Sequence, residues 1–154
     1  MKSTSITLPN DVMLGGVKEL LAEGRQVVIM TKGVSMLPFI VGKRDSVVLE
    51  KRASVAPGDI ALAEIAPGHY VLHRVREVSD DGVVLQGDGN YRGQEKCRPE
   101  NIAGTVVAVQ TPGKPDRDPY AAAEMRRWRR WTRIPAIVRR YYLAFFRRIK
   151  HITI

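Results

Sequence analysis

Cysteine is almost missing from this 154-residue chain, where Cys97 stands alone. A single thiol closes no intramolecular disulfide, so the fold is not one stapled by oxidation, and a reducing interior is the expected setting. Histidine is nearly as scarce: His69, His73 and His151 are the whole supply, and no Cys/His cluster has the spacing of a structural zinc site. No metal and no cofactor is expected. Long apolar runs are lacking too, since VVIM and IALA fall far short of the roughly 20 residues that span a bilayer. The opening MKSTSITLPNDVM has no basic region, apolar stretch or small-residue cleavage site, so no export signal is expected. The expectation is a cytoplasmic protein, free or peripheral on the inner face of the membrane.

What is present is enough for one domain. The apolar fraction of 44% supports a real hydrophobic core, and the length leaves room for appendages but not for a second full domain. The net charge of +9 is unevenly placed. Residues 1–120 carry 15 Lys/Arg against 15 Asp/Glu, whereas residues 121–154 carry ten basic residues against the single acid Glu124. All the excess charge belongs to the C-terminal segment.

Asn10 is placed to cap a helix over residues 11–23, with Val12, Met13, Val17, Leu20 and Leu21 at helical spacing and Gly24 where a helix stops. The pattern then changes to short β-branched runs separated by Gly, Pro and Asp, which predicts six strands: 26–31, 46–51, 59–65, 70–78, 83–87 and 102–109. The expected fold is therefore mainly β (α+β), a folded antiparallel sheet over 1–109 with an N-terminal helix. Residues 110–119, rich in Pro and Gly, read as a linker. Residues 120–154 read as a basic amphipathic tail, with Trp128, Trp131, Val138, Tyr141, Tyr142, Phe145 and Ile149 toward one side and Pro135 dividing it into two short helices.

The stretch most suggestive of chemistry is GVSMLPFI at 33–40, which sets Ser35 in a Gly-initiated turn between two strand-like runs. Serine is nearly inert at neutral pH until a base takes its proton, so a nucleophile here needs a titratable partner. His151 lies in the tail and His69 in the loop PGHY, while His73 sits inside the alternating run YVLHRVREV, where a strand holds a base rigidly. Taken alone, a turn serine and a strand histidine are ordinary structural residues more often than a dyad.

The order of motifs adds weight. KGVSMLPFI, PGDIALAEI, VLHRV and LQGDGN resemble, in the same order, the nucleophile box, the Gly-Asp-Ile strand, the general-base strand and the late Gly-Asp-Asn box of the signal-peptidase and LexA-like serine endopeptidases. The likeness runs from about Lys32 to Gly104 and includes the 38-residue spacing of Ser35 and His73. Bacterial signal peptidases and self-cleaving repressors use a lysine base, and the endoplasmic-reticulum and archaeal enzymes a histidine before Arg-Val, which is the form found here. The resemblance implies that Ser35 attacks a scissile carbonyl while His73 serves as general base and then general acid, without metal or cofactor. It implies an oxyanion donor in the Ser35 N–H, although Gly33 replaces the serine whose hydroxyl often assists. The orienting acid of the family falls at Gln94, so the imidazole must look to Asp88, the first choice, or to Glu95. Asp88 also has a turn-residue reading in DGN, as Asp59 does in PGDI. Met36 and Pro38 are expected to shape the turn and the substrate groove, and Arg74, on the strand face opposite His73, is given no catalytic role.

Two rivals stand beside the peptidase: a non-catalytic adaptor that keeps the fold and binds peptides, and a self-cleaving regulator. The latter ranks lower because Ala103-Gly104 follows the boxes rather than preceding them. The expected partner is a protein or peptide substrate. The tail has three readings: an interfacial segment on an anionic membrane, a helix packed on the domain, or a nucleic-acid contact. The last is disfavoured because a single helix before Ser35 is too little for a helix-turn-helix module.

Overall fold

The computed structural model describes residues 3–6, 11–90 and 92–150. The elements run β1 (Ser3–Ile6), α1 (Asp11–Ala22), β2 (Gln26–Met30), β3 (Ser46–Glu50), β4 (Ile60–Ala66), β5 (His69–Ser79), β6 (Gly82–Gln86), β7 (Glu95–Cys97), a short 3-10 turn at Pro99–Asn101, β8 (Ile102–Gln110), α2 (Ala122–Arg133) and α3 (Ala136–Lys150). The strands form one sheet in the order β1-β2-β3-β8-β4-β5-β6-β7. Every neighbouring pair is antiparallel except β1 with β2. The mainly β, α+β class read from the sequence is the class observed, and the six expected strands correspond to β2 to β6 and β8. β1 and β7 were not expected. His69, expected in a loop, opens β5 instead.

Helix α1 forms because Leu14, Val17 and Leu21 recur at helical spacing and bury one face, Val17 and Leu21 completely. That face packs with Val27, Ile29, Leu49, Leu62 and Val106 into the larger core. Gly24 ends the helix at φ 87°, a left-handed conformation, and its N–H donates to the Leu21 carbonyl at 2.9 Å. The proposed cap, Asn10, lies outside the described residues, as does His151. A second core gathers Ala61, Ala63, Val75, Val83, Leu85 and Ile102 on the other part of the sheet. Bulges interrupt the ladders at Val48/Leu49, Leu62/Ala63, Glu64/Ala66 and Val75/Glu77, which is how a sheet of this length acquires bend and extra twist.

The segment read as a linker is tied down. Val109 and Arg117 exchange N–H to carbonyl bonds at 2.9 Å in each direction. The Tyr120 hydroxyl donates to the Val106 carbonyl at 2.5 Å and accepts from the Ile60 N–H at 3.0 Å, bridging β8 and β4. Burial and Asp59 raise this phenol to about 12, with the Ile60 N–H opposing. Beyond it the tail is two helices divided at Pro135, as expected, and it folds back on the domain. Trp131 and Leu143 join Leu37, Phe39 and Val41 in a third core, so the loop between β2 and β3 is covered by α2 and α3.

The base of that loop is closed by Asp45, whose residue is fully buried. Its carboxylate accepts from the Val41 N–H at 2.9 Å, the Thr111 hydroxyl at 2.8 Å and the Arg44 guanidinium at 2.8 Å, while its carbonyl accepts from Thr31 N–H and Oγ1. Burial pushes the Asp45 carboxyl up, but these donors together hold it below its usual range. Asp45→Ala strips the acceptor from the buried Val41 N–H and the part-buried Thr111 hydroxyl and is expected to cost about 2 kcal/mol or more in urea unfolding. Because the folded-state pKa is depressed, the Asp45 contribution is complete above the ordinary carboxyl pKa and disappears as pH falls through the lowered value. The stability difference between wild type and Asp45→Ala should therefore narrow on acidification.

Candidate active site

The turn that carries Ser35 is built by glycines at its ends. Gly33 adopts φ 82°, open only to glycine without strain. A Cβ on Gly42 would lie 2.2 Å from the Gly33 carbonyl oxygen, so the chain crosses itself there with no room for a side chain. Between these points Leu37 N–H donates to Val34 O and Ile40 N–H to Met36 O, and the Leu37-Pro38 peptide is cis. Ser35 is exposed at the crest. Among the described residues, the N–H groups of Ser35 and Met36 meet no acceptor.

His73 lies at the middle of β5, paired with Ala61 of β4, and its side chain is only 9% exposed. Its Nδ1 lies against Glu95 Oε1 at the start of β7 as a charge contact, and no well-aligned hydrogen bond reaches Nδ1 among the described residues. With Nδ1 engaged by a carboxylate, the proton of the neutral ring belongs on Nδ1 and the Nε2 lone pair is left free. Burial pushes the His73 pKa below its ordinary value, against the opposing pull of Glu95 and, more weakly, Asp88. The ring is therefore neutral at pH 7, the form a general base needs.

Gly87 brings the two together. A Cβ on it would stand 2.4 Å from the Ser35 carbonyl oxygen and 3.1 Å from His73 Nε2, so the bare Cα is wedged between the serine backbone and the free imidazole nitrogen. Next to it the Gly89 N–H donates to Ser35 O at 2.8 Å, and a Gly89 Cβ would meet Val34 O at 2.5 Å. The glycines of the GDG turn are thus needed for close backbone approach to the nucleophile turn. Ser35 and His73 line one cavity of about 200 Å³ with Leu14, Ile29, Leu62 and Tyr70. Ser35, Gly33 and Met36 also border an adjoining cleft of about 30 Å³. A larger hollow of about 600 Å³ lies at Glu64, Pro67, Asp81, Lys96 and Arg98 and includes neither Ser35 nor His73.

Asp88, first choice as the orienting acid, is not placed to do that work. Its carboxylate is turned to Arg74, accepting from Nη2 at 2.7 Å and Nε at 3.3 Å, and to the Trp128 indole N–H at 3.0 Å, while its carbonyl accepts from the Trp131 indole at 2.7 Å. Both side chains of the Arg74–Asp88 pair are 2% exposed. Burial pushes the Asp88 carboxyl up, but with Arg74 permanently charged beside it the ionised pair is the state that satisfies both groups. Arg74 completes its set with the Gly58 carbonyl and lies over the rings of Phe39 and Trp128. The carboxylate that faces the imidazole is that of Glu95, the alternative, one residue beyond Gln94, which bonds Gln86. Asp59 is a turn residue: it accepts from the Ala56 N–H at 2.9 Å. Met36 borders the Ser35 cleft, whereas Pro38 lines a separate groove against α2 and α3.

Among the described residues no three His, Cys, Asp or Glu side chains converge to hold a metal. No protein-family model matches the chain, and no curated protein matches it.

Two substitutions separate the acids. Asp88→Ala leaves Arg74 charged in the core and is expected to cost about 3 to 5 kcal/mol in denaturant unfolding. Glu95→Gln should leave stability much less altered but lower the His73 pKa further, because the raising influence of the carboxylate is gone; an NMR titration of the imidazole reads it directly. An unchanged titration would mean that Glu95 does not face His73.

Proposed function

We propose that the protein is a serine endopeptidase of the signal-peptidase kind, acting through Ser35, His73 and Glu95 on a peptide bond of a protein or peptide substrate. The observation that carries this reading is the placement of Gly87 Cα between the Ser35 backbone and His73 Nε2, with Nδ1 of the same ring held by Glu95. This neighbourhood supports roles for Ser35 as nucleophile, His73 as base and Glu95 as orienting acid.

The steps follow from it. His73 Nε2 takes the Ser35 hydroxyl proton as Oγ bonds to the scissile carbonyl carbon, and the oxyanion is stabilised by the free Ser35 and Met36 N–H groups. Collapse of the tetrahedral intermediate breaks the C–N bond, and Nε2 returns the proton to the leaving amine. Water then repeats the cycle on the acyl-enzyme: Nε2 removes its proton, the hydroxide adds to the ester carbon, and Ser35 Oγ leaves carrying that proton back. Glu95 stabilises the imidazolium formed twice in this sequence without itself taking the proton. Gly33 supplies no hydroxyl to the oxyanion, so backbone donors bear that role. The apolar cavity lined by Leu14, Ile29 and Leu62 suits an uncharged side chain next to the cleaved bond.

Ser35→Ala and His73→Ala are each expected to lower kcat/KM for a peptide substrate by at least about a thousandfold, and Glu95→Gln by about a hundredfold or more. Activity of the wild type should rise with pH through a pKa below the ordinary histidine value near 6.5, since the base is active when neutral and burial depresses it. A peptide-library digest and labelling of Ser35 by a fluorophosphonate probe check the reading together. Absence of both cleavage and labelling would leave a peptide-binding module on the same fold.

A further inference from the structure

Helix α3 lies on the domain by a narrow inner face. Leu143 is its one buried residue, and Arg139, Phe146 and Arg147 are partly covered beside it. The opposite face is apolar and open: Ile137, Tyr141, Phe145 and Ile149 are 62%, 69%, 63% and 54% exposed, with Val138 and Tyr142 next to them. At 3.6 residues per turn these six fall within an arc of about 140°. No helix among the described residues is long and apolar enough to cross a membrane, so this face is not part of a span.

Its surroundings decide what fits it. Arg140 is exposed on one flank of the apolar arc, Arg148 is exposed within its edge between Ile137 and Tyr141, and α2 adds exposed Arg126, Arg129, Arg130 and Arg133. The acid of the hairpin, Glu124, is already paired with Arg127. A second copy seated face to face would bring these arginines against their own kind, and a nucleic acid would leave the exposed Ile137 and Ile149 unburied. A surface that offers negative charge at the level of the guanidinium groups and hydrocarbon just beneath them satisfies both halves of the helix.

We propose that α3 docks in the plane of an anionic lipid bilayer, with Ile137, Tyr141, Phe145 and Ile149 buried at the headgroup boundary and the arginines of both helices on lipid phosphates. Such docking is independent of any chemistry at Ser35. It goes beyond the peptidase reading by assigning the surface on which the domain works.

The experiment is co-sedimentation of the full chain with large vesicles of phosphatidylcholine, with or without roughly one third phosphatidylglycerol. Binding to the anionic vesicles should exceed binding to the neutral ones by at least about tenfold and should weaken as salt is raised. Tyr141→Glu with Phe145→Glu, both outward-facing and so compatible with folding as checked by circular dichroism, should reduce anionic binding by about tenfold or more. Arg140→Gln with Arg148→Gln should do likewise, each basic residue near such a surface being worth about fivefold. The proposal is overturned if the wild type fails to sediment with anionic vesicles, or if the glutamate pair binds as well as wild type. A wild-type dimer that the glutamate pair dissociates, without lipid binding, would overturn it in favour of a second copy. Preferential capture by a single-stranded oligonucleotide would overturn it in favour of nucleic acid.

Discussion

The buried ion pair of Arg74 and Asp88 is the contact on which the rest of the arrangement depends. Two charges withdrawn from water are tolerated only when every remaining donor and acceptor is met. Here that condition draws on distant parts of the chain: Gly58 offers its carbonyl, Trp128 its indole N–H, and the rings of Phe39 and Trp128 cover the guanidinium. Because Asp88 sits in the turn whose glycines touch Ser35 and His73, satisfying the charge also fixes the turn against the nucleophile loop. The network is a structural one, and it helps to set how Ser35 and His73 are placed against each other.

The C-terminal helices acquire a double character from this. The indoles of Trp128 and Trp131 reach Asp88, so α2 completes the interior of the domain. Helix α3 adds Leu143 to the same interior and turns its remaining apolar residues outward. A segment that reads as an appendage by composition is in physical terms half core and half surface. The stretch 110–119 matches this picture: it has the prolines and glycines of a linker but is held by the Arg117 bridge and the Tyr120 hydroxyl.

Much of this was legible before any coordinates. The strand pattern follows from β-branched runs between breakers, and the helix, read over 11–23, from Val12, Met13, Val17, Leu20 and Leu21. Ser35 in its glycine turn and His73 on its strand could be named because turn chemistry and alternation are local signals. Glu95 could not be preferred over Asp88, since the choice depends on which carboxylate the register of β6 and β7 delivers to the imidazole. β7 is three residues long, EKC, too short to show a period, and its pairing of Leu85 with Glu95 is set by the intervening loop. The other obstacle is that an Asp in a DGN turn has the same sequence signature whether it serves a histidine, its own backbone or an arginine. What distinguishes these is a pair of tryptophans some forty residues away.

The place of Glu95 carries one more consequence. The carboxylate that contacts His73 is borne by a strand at one margin of the sheet, joined to its neighbour through only three residue pairs. Sheet margins open locally at a free-energy cost well below that of global unfolding. Each such fraying event would withdraw Glu95 while His73 stays in place on β5 and Ser35 in its glycine-bounded turn. The contact between Glu95 and the imidazole would then be lost before the domain melts, its persistence set by the grip of one short strand rather than by the core.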